Sequence, residues 1–483
     1  MIKSIDRYPN YFFSRLILNI LCGCFVFLSW SSHAQTLTDA VRIAMSQYPT
    51  ILAAQARAQA ADSDITRAQS GHWPQLGWQG TNSSYSDIGT TPFAPGDSWI
   101  QSPAVTMNIW SGWQIESGVE RAEAIFDSQR QQQRITRDEV AFLATEAYLN
   151  WARSSAVVQL AKANLIAHER LYQDVVKIAQ VDIGRQIDVE QAQVRLENAK
   201  LSLEQRKSEQ EIVSQRLRRM LLGQLPRQPM GFNEVMGKLP TNVDQALSYL
   251  NDTHPVIAQR LSRIEAAEAS VRQARSGFSP TVNLSYQKQT TQGTGQGDYI
   301  TQLNVNIPIF DGGSAYGSTK SAQSELIAVN QELTETKITI KENLLAAWSE
   351  YTSAKQRSIV GQNQVKSAKK LVIGYEQQFR VGRRSLLDLL TIQDNLYSYE
   401  TNATNAHFEQ LIFKAKILAI VNQLAIAYQF HDNQTSTSAG NQTNESTSTN
   451  AMAQASRQST TKANTKVPSS KPFSNDQSLG INQ

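Results

Sequence analysis

His72-Trp73-Pro74-Gln75-Leu76 is answered 206 residues later (278 − 72) by Phe278-Ser279-Pro280-Thr281-Val282. The same offset joins Pro49 to Pro255, Ala61 to Ala267, Ala68 to Ala274, and Ser70-Gly71 to Ser276-Gly277. Further along, Trp110-Ser111-Gly112 corresponds to Phe310-Asp311-Gly312, and Ile183-Gly184-Arg185 to Val381-Gly382-Arg383. A repeat of about 200 residues is far longer than a solenoid unit and reads as a duplicated, domain-sized element.

Each copy predicts the same order. An Ala-rich helix (roughly Leu37 to Ser70, and Val243 to Ser276) stops at Gly then Pro. Two strands follow, at about 74–85 and 101–110 in the first copy and 280–290 and 299–310 in the second. Two very long helices then meet at a glycine. The copies span 35–223 and 242–430, with a Pro-rich connector at 224–241 that should cross outside the helices. From 431 to 483 the chain is rich in Asn, Gln, Ser and Thr; it cannot bury a core and is expected to be disordered.

The strands alternate. From Gln302 to Ile309 the odd positions are apolar and the even ones polar or Pro, and Pro103, Val105, Met107 and Ile109 share one face. Trp73, Trp78, Trp99, Trp110 and Trp113 gather around them. Period two over about ten residues, with aromatics near the ends, marks a membrane strand, although soluble amphipathic hairpins give the same pattern. The helices weigh on the membrane side. Val140, Leu143, Ala147, Trp151, Ser154, Val157, Ala161, Leu165, His168, Tyr172 and Val175 step by three or four, as do Leu326 to Ala354 in the second copy. That is coiled-coil spacing. About 65 residues at 1.5 Å each give roughly 100 Å, three bilayer cores.

Bulk properties narrow the class. The formal charge of the 483 residues is only +4, with no basic face for nucleic acid. A basic start (Lys3, Arg7, Arg15), an apolar run from Leu16 to Trp30 and Ser32-His33-Ala34 predict a signal peptide over 1–34. Both cysteines, Cys22 and Cys24, fall within it; lipidation at Cys24 is the rival reading. No later run of about 18 apolar residues predicts a transmembrane helix. Four strands per chain cannot close, and an open sheet edge in lipid leaves backbone groups unpaired. Two chains would give eight strands and a filled interior, three chains twelve and a passage. The expected assembly is a ring, a homotrimer, embedded in lipid.

With these features, Phe379-Arg380-Val381-Gly382 followed by Leu387-Asp388-Leu389-Leu390 resembles the TolC family of outer-membrane efflux and secretion proteins. The resemblance covers about Leu37 to Phe430. It implies a mainly α fold with membrane β: a duplicated helix-strand-strand-helix repeat, a coiled-coil helical tunnel and a trimeric twelve-stranded β-barrel. It implies a Gram-negative outer-membrane location with the helices in the periplasm, no enzymatic activity and no cofactor. The implied partners are a periplasmic adaptor (membrane fusion) protein and an inner-membrane transporter of the ABC type. The adaptor would dock on the tip turns, Ile183, Gly184 and Arg185 with Val381, Gly382 and Arg383. The pore constriction would use Asp188, Phe379, Arg384 and Asp388. Departures from the family's pattern are Phe379 in place of a gating tyrosine, Thr391 in place of a second aspartate, and a first turn two residues shorter than the second.

No histidine spacing suggests a metal, and no nucleophile motif, phosphate loop or paired carboxylates appear. The run Ile183 to Asp188 and the Gln191 to Leu196 stretch are most similar to members serving type I protein secretion, with small-molecule efflux second. A periplasmic coiled-coil scaffold without a pore is the reading from another class.

Overall fold

The computed structural model describes residues 36–83, 98–232, 235, 237–290 and 297–429. The expected signal peptide, Cys24, most of both strand loops and the polar tail lie outside the described residues. The chain divides into two units, Met1–Tyr428 and Gln429–Gln483; all that follows concerns the first.

Its elements run α1 (Leu37–Gln47), α2 (Pro49–Gln69), β1 (Gln75–Ser83), β2 (Ser98–Trp110), α3 (Gln114–Val181) and α4 (Gln186–Met220). Then come α5 (Val243–Ser248), α6 (Pro255–Arg275), β3 (Thr281–Thr290), β4 (Gly297–Asn306), α7 (Ser314–Arg380) and α8 (Leu386–Ile420). Short 3₁₀ turns at Ser70–His72 and Ser276–Phe278 precede β1 and β3 at equivalent points.

The Ala-rich helices are not single rods. Tyr48 (ψ 131°) and His254 (ψ 128°) are extended and hand over to Pro49 and Pro255 at the first helical position. The residue before proline is sterically barred from the helical region, whereas proline itself suits the first turn. A capping box between Thr36 and Asp39 starts α1.

At 68 and 67 residues, α3 and α7 are each about 100 Å long. Their seams are small: Ala141, Ala144, Ala152 and Ala161 on α3, and Ala347, Ala354 and Ala368 on α7, are buried. Small side chains allow the close approach that holds α3 against α2, α4, α6 and α8, and α7 against α6 and α8. The largest core gathers Leu37, Tyr148, Leu149, Leu217, Leu418 and Tyr428. Phe232, from the segment between α4 and α5, stacks on Phe408 at 5.4 Å. Tyr148 Oη donates to the Met230 carbonyl at 2.8 Å and accepts the Met230 N–H at 2.9 Å. Buried Asp138 accepts the Ala425 N–H at 2.9 Å. Desolvation raises its pKa from 3.8 to about 7. The folded state therefore holds this proton where the unfolded chain has released it. The stabilisation this supplies is lost as pH rises from about 4 through about 7.

The four strands form one antiparallel sheet in the order β1-β2-β3-β4. β4 ends at Asn306 rather than running to Phe310. Pro308 keeps the apolar alternation but has no N–H to give a ladder.

Candidate conduit wall and helical tip

The strand register decides what the sheet can face. Leu76 pairs with Val105, Val105 with Tyr286, Met107 with Leu284, Leu284 with Leu303, and Val282 with Val305. These residues share one face. A bulge between Asn108 and Trp110 adds Ile109 and sets Trp110 opposite Val282, on that same face. The opposite face is built from amides and hydroxyls. Asn108 pairs with Asn283, and Asn283 with Asn304. The Asn108 amide donates to Asn283 at 2.8 Å, and the Asn304 amide to Ser285 at 3.4 Å. The apolar side chains are open: Leu76 is 78 % exposed, Trp78 70 % and Leu303 62 %. Contiguous apolar exposure of this kind needs a cover, and among the described residues no other element supplies one. Among the described residues, the outer edges of β1 and β4 carry no partner strand. No described helix is long and apolar enough to cross a membrane.

At the other end, two turns join the long helices. In the second, α7 closes with a Schellman motif: Gly382 N–H donates to Phe379 O and Arg383 N–H to Gln378 O, both at 2.9 Å. Gly382 has φ +71°, which a side chain would strain. Gly184 does not share this geometry. It lies in a 3₁₀ turn, Ile183–Arg185, where its N–H donates to Asp182 Oδ1 at 3.1 Å. The shorter first turn closes by this Asx contact, and of the two glycines only Gly382 takes a positive φ.

Arg384, in the turn before α8, and Asp388, in its first turn, meet at 3.6 Å. The guanidinium also lies 4.1 Å over the Tyr375 ring, and its Nε donates to Gln378 at 3.3 Å. Asp388 N–H donates to the Ser385 cap, so its carboxylate occupies the first turn of α8, where the helix dipole favours negative charge. Asp188 holds the matching place on α4 and forms no ion pair among the described residues. Phe379 is buried with Val175, Val189, Leu386 and Leu389, and Arg185 from the first turn lies 6.0 Å over its ring. The two turns are thus tied through Arg185 and Phe379, while Asp188 stands apart. Around them Val181 (90 % exposed), Ile183 (86 %), Ile187, Val381 and Leu387 form an apolar patch.

Two groups escape the sequence reading. Tyr375 lies beneath Arg384, nine residues upstream with no spacing rule to find it. Deeper in, His168 Nε2 and Arg195 both reach Asp394 at 3.0 Å, joining α3, α4 and α8. His168 is visible in the sequence as a seam position, but its partners come from two other helices.

A sheet with one apolar and one amide face, continuous with helices about 100 Å long, defines an outer-membrane channel fold. The family model described as "Outer membrane efflux protein" matches residues 40–223 and 246–423. The chain belongs to the outer membrane efflux protein family, and its place is the outer membrane. The outer membrane efflux protein BepC of Brucella suis is 22 % identical over 407 residues, covering 83 % of this chain and 88 % of BepC. The probable efflux pump outer membrane protein TtgC of Pseudomonas putida is 26 % identical over 321 residues, 62 % of this chain and 63 % of TtgC. The solved Campylobacter jejuni CmeC outer membrane channel superposes with TM-score 0.70 at 15 % identity, over 82 % of this chain and 90 % of that one. At that identity the likeness concerns the fold.

Proposed function

We propose that three copies of this chain close a twelve-stranded barrel and form the passive outer-membrane conduit of a tripartite export system. The observation that carries this is the pairing of two unpartnered sheet edges with an uncovered apolar face, since lipid tolerates such a face only when the edges are closed. Helix surfaces support it. Ile187, Val194 and Leu201 are exposed on α4 at seven-residue spacing, and Ile338 and Leu345 likewise on α7. Such stripes suit coiled-coil packing between protomers. The 1–34 signal and the copies at 35–223 and 242–430, joined by 224–241, belong to the same reading.

The tip turns, Ile183-Gly184-Arg185 and Val381-Gly382-Arg383, are the docking place for a periplasmic adaptor, which links the channel to an inner-membrane transporter. The exposed apolar patch around them is the support for this. Just inside, Asp188, Arg384 and Asp388 ring the entrance, with Phe379 bracing them from behind. A ring of carboxylates at a narrow mouth concentrates cations. Full-length channel in planar bilayers should therefore be cation-selective. Asp388→Asn should lower the cation-to-anion permeability ratio severalfold; an unchanged ratio counts against the entrance assignment.

Two cargoes are each supported by a different observation. The Ile183 to Asp188 run supports type I secretion of a large protein through an ABC-type transporter, and the names of BepC and TtgC support small-molecule efflux. Deleting the gene separates them. Loss of a secreted protein identifies the first, and heightened sensitivity to dyes and detergents the second.

A further inference from the structure

Toward the tip, the four long helices form an open row. α3 packs against α4 on one side and α8 on the other, and α8 packs against α7. The edges of the row are therefore α4 and α7, and a ring of copies closes by bringing the α4 of one against the α7 of the next. Cyclic closure is a rotation with no rise along the axis, so heights read within one chain hold between neighbours. Both edges begin at one level: Val189, near the start of α4, and Phe379, near the end of α7, share one core.

Each edge carries an exposed row at seven-residue spacing. On α4 it is Ile187, Val194 and Leu201, turned away from the buried Val189, Ala192 and Leu196. On α7 it is Ile359, Lys366 and Ile373, turned away from the buried Ala354 and Ala368. The helices run in opposite directions, α4 leaving the tip and α7 entering it. At 1.5 Å per residue, Val194 (194 − 186 residues into α4) and Ile373 (380 − 373 from the end of α7) both stand about 11 Å up. Leu201 and Lys366 both stand about 22 Å up by the same measure.

A lysine in an apolar row calls for a carboxylate opposite. From 351 to 375 the chain has five cations and no acid. Arg357 and Lys369 are paired with α8, through Glu409 and Glu400. Lys366 has no ion pair among the described residues. The α4 row is flanked by exposed glutamates at the same seven-residue spacing: Glu190, Glu197, Glu204 and Glu211. Glu197 and Glu204 bracket the level of Lys366. Their own partners, Lys200 at 2.8 Å and Lys207 at 2.7 Å, are exposed and three residues along the same helix. Such pairs contribute little and re-form readily.

We propose that these two rows seat a second copy of this chain, α4 of one protomer lying antiparallel on α7 of the next. Val194 meets Ile373, and Leu201 lies under the stem of Lys366, whose ammonium is held between Glu197 and Glu204. Apolar rows flanked by opposite charges are the means by which coiled coils set partner and register, and a lysine stem covers apolar surface while its head stays polar. The proposal rests on the ring-shaped conduit and adds the helices, direction and register of its joint.

The test places Val194→Cys and Ile373→Cys in one full-length chain and oxidises outer membranes that hold it. The chain's two cysteines, Cys22 and Cys24, lie ahead of the described helices, so the parent chain is the blank. Covalent dimers and trimers should form and collapse on reduction. They should be absent when Val194→Cys is combined with Ile338→Cys, roughly 50 Å higher on α7. Lys366→Glu should lower the thermal dissociation midpoint of the solubilised assembly by several degrees, and adding Glu197→Lys and Glu204→Lys should recover most of the loss. A bond between positions 194 and 338, or a charge exchange that recovers nothing, would overturn the proposal. The mass of the assembly separates the two failures. Three chains without the bond between 194 and 373 sink the register and leave the conduit standing, whereas single chains sink both.

Discussion

Leu284→Arg is expected to abolish assembly in the outer membrane, whereas Asn283→Arg, its immediate neighbour, is expected to be tolerated. Leu284 pairs with Met107 and Leu303 on the apolar face; Asn283 pairs with Asn108 and Asn304 on the amide face. An arginine facing lipid costs ~2–4 kcal/mol at the bilayer centre and less toward the interfaces. In a closed trimer the cost is incurred three times. On the amide face the same side chain enters water. Membrane fractions washed with urea, followed by electrophoresis with and without heating, read both outcomes. Equal tolerance of the two arginines would mean that the apolar face does not meet lipid.

The second large effect concerns the turn from β2 into α3. Gly112 has φ +62°, and a Cβ there would lie 2.2 Å from Ser279 Cβ, in the approach to β3. The first copy's turn is thus pressed against the second copy's strand entry. Gly112→Ala incurs left-handed strain of roughly 1–2 kcal/mol and overpacking of about 1–3 kcal/mol. The counterpart, Gly312, has φ +71° but nothing within 4 Å of the added carbon. Gly312→Ala should therefore incur the strain alone. The thermal dissociation midpoint of the detergent-solubilised protein should fall clearly further for Gly112→Ala. Equal shifts would show that the contact with Ser279 does not limit the fold.

Much of this architecture is legible in the sequence, because the two copies punctuate themselves alike. Proline and glycine mark each passage from helix to strand, and alternation separates the faces of β4, and of β2 as far as the bulge after Asn108. The misread points share a cause. Pro49 and Pro255 fit the first turn of a helix, so composition alone reads through them, and the steric restriction falls instead on Tyr48 and His254. Pro308 likewise preserves alternation while removing a ladder donor, which hides the end of β4. At the tip, the meeting of Arg384 and Asp388 is local, four residues apart across the cap of α8. The stacking of Arg384 on Tyr375, the contact of Arg185 with Phe379 and the His168–Asp394–Arg195 node are not. They join separate elements, and no local pattern in the chain encodes them.

The most direct measurement is the protein mass of the detergent-solubilised assembly, with bound detergent subtracted by light scattering and refractive index. Three chains per particle is the expected value, since that number pairs the edge of β4 with the β1 of a neighbour all round and leaves a passage. A folded single chain that stays dispersed after the detergent is removed would contradict it.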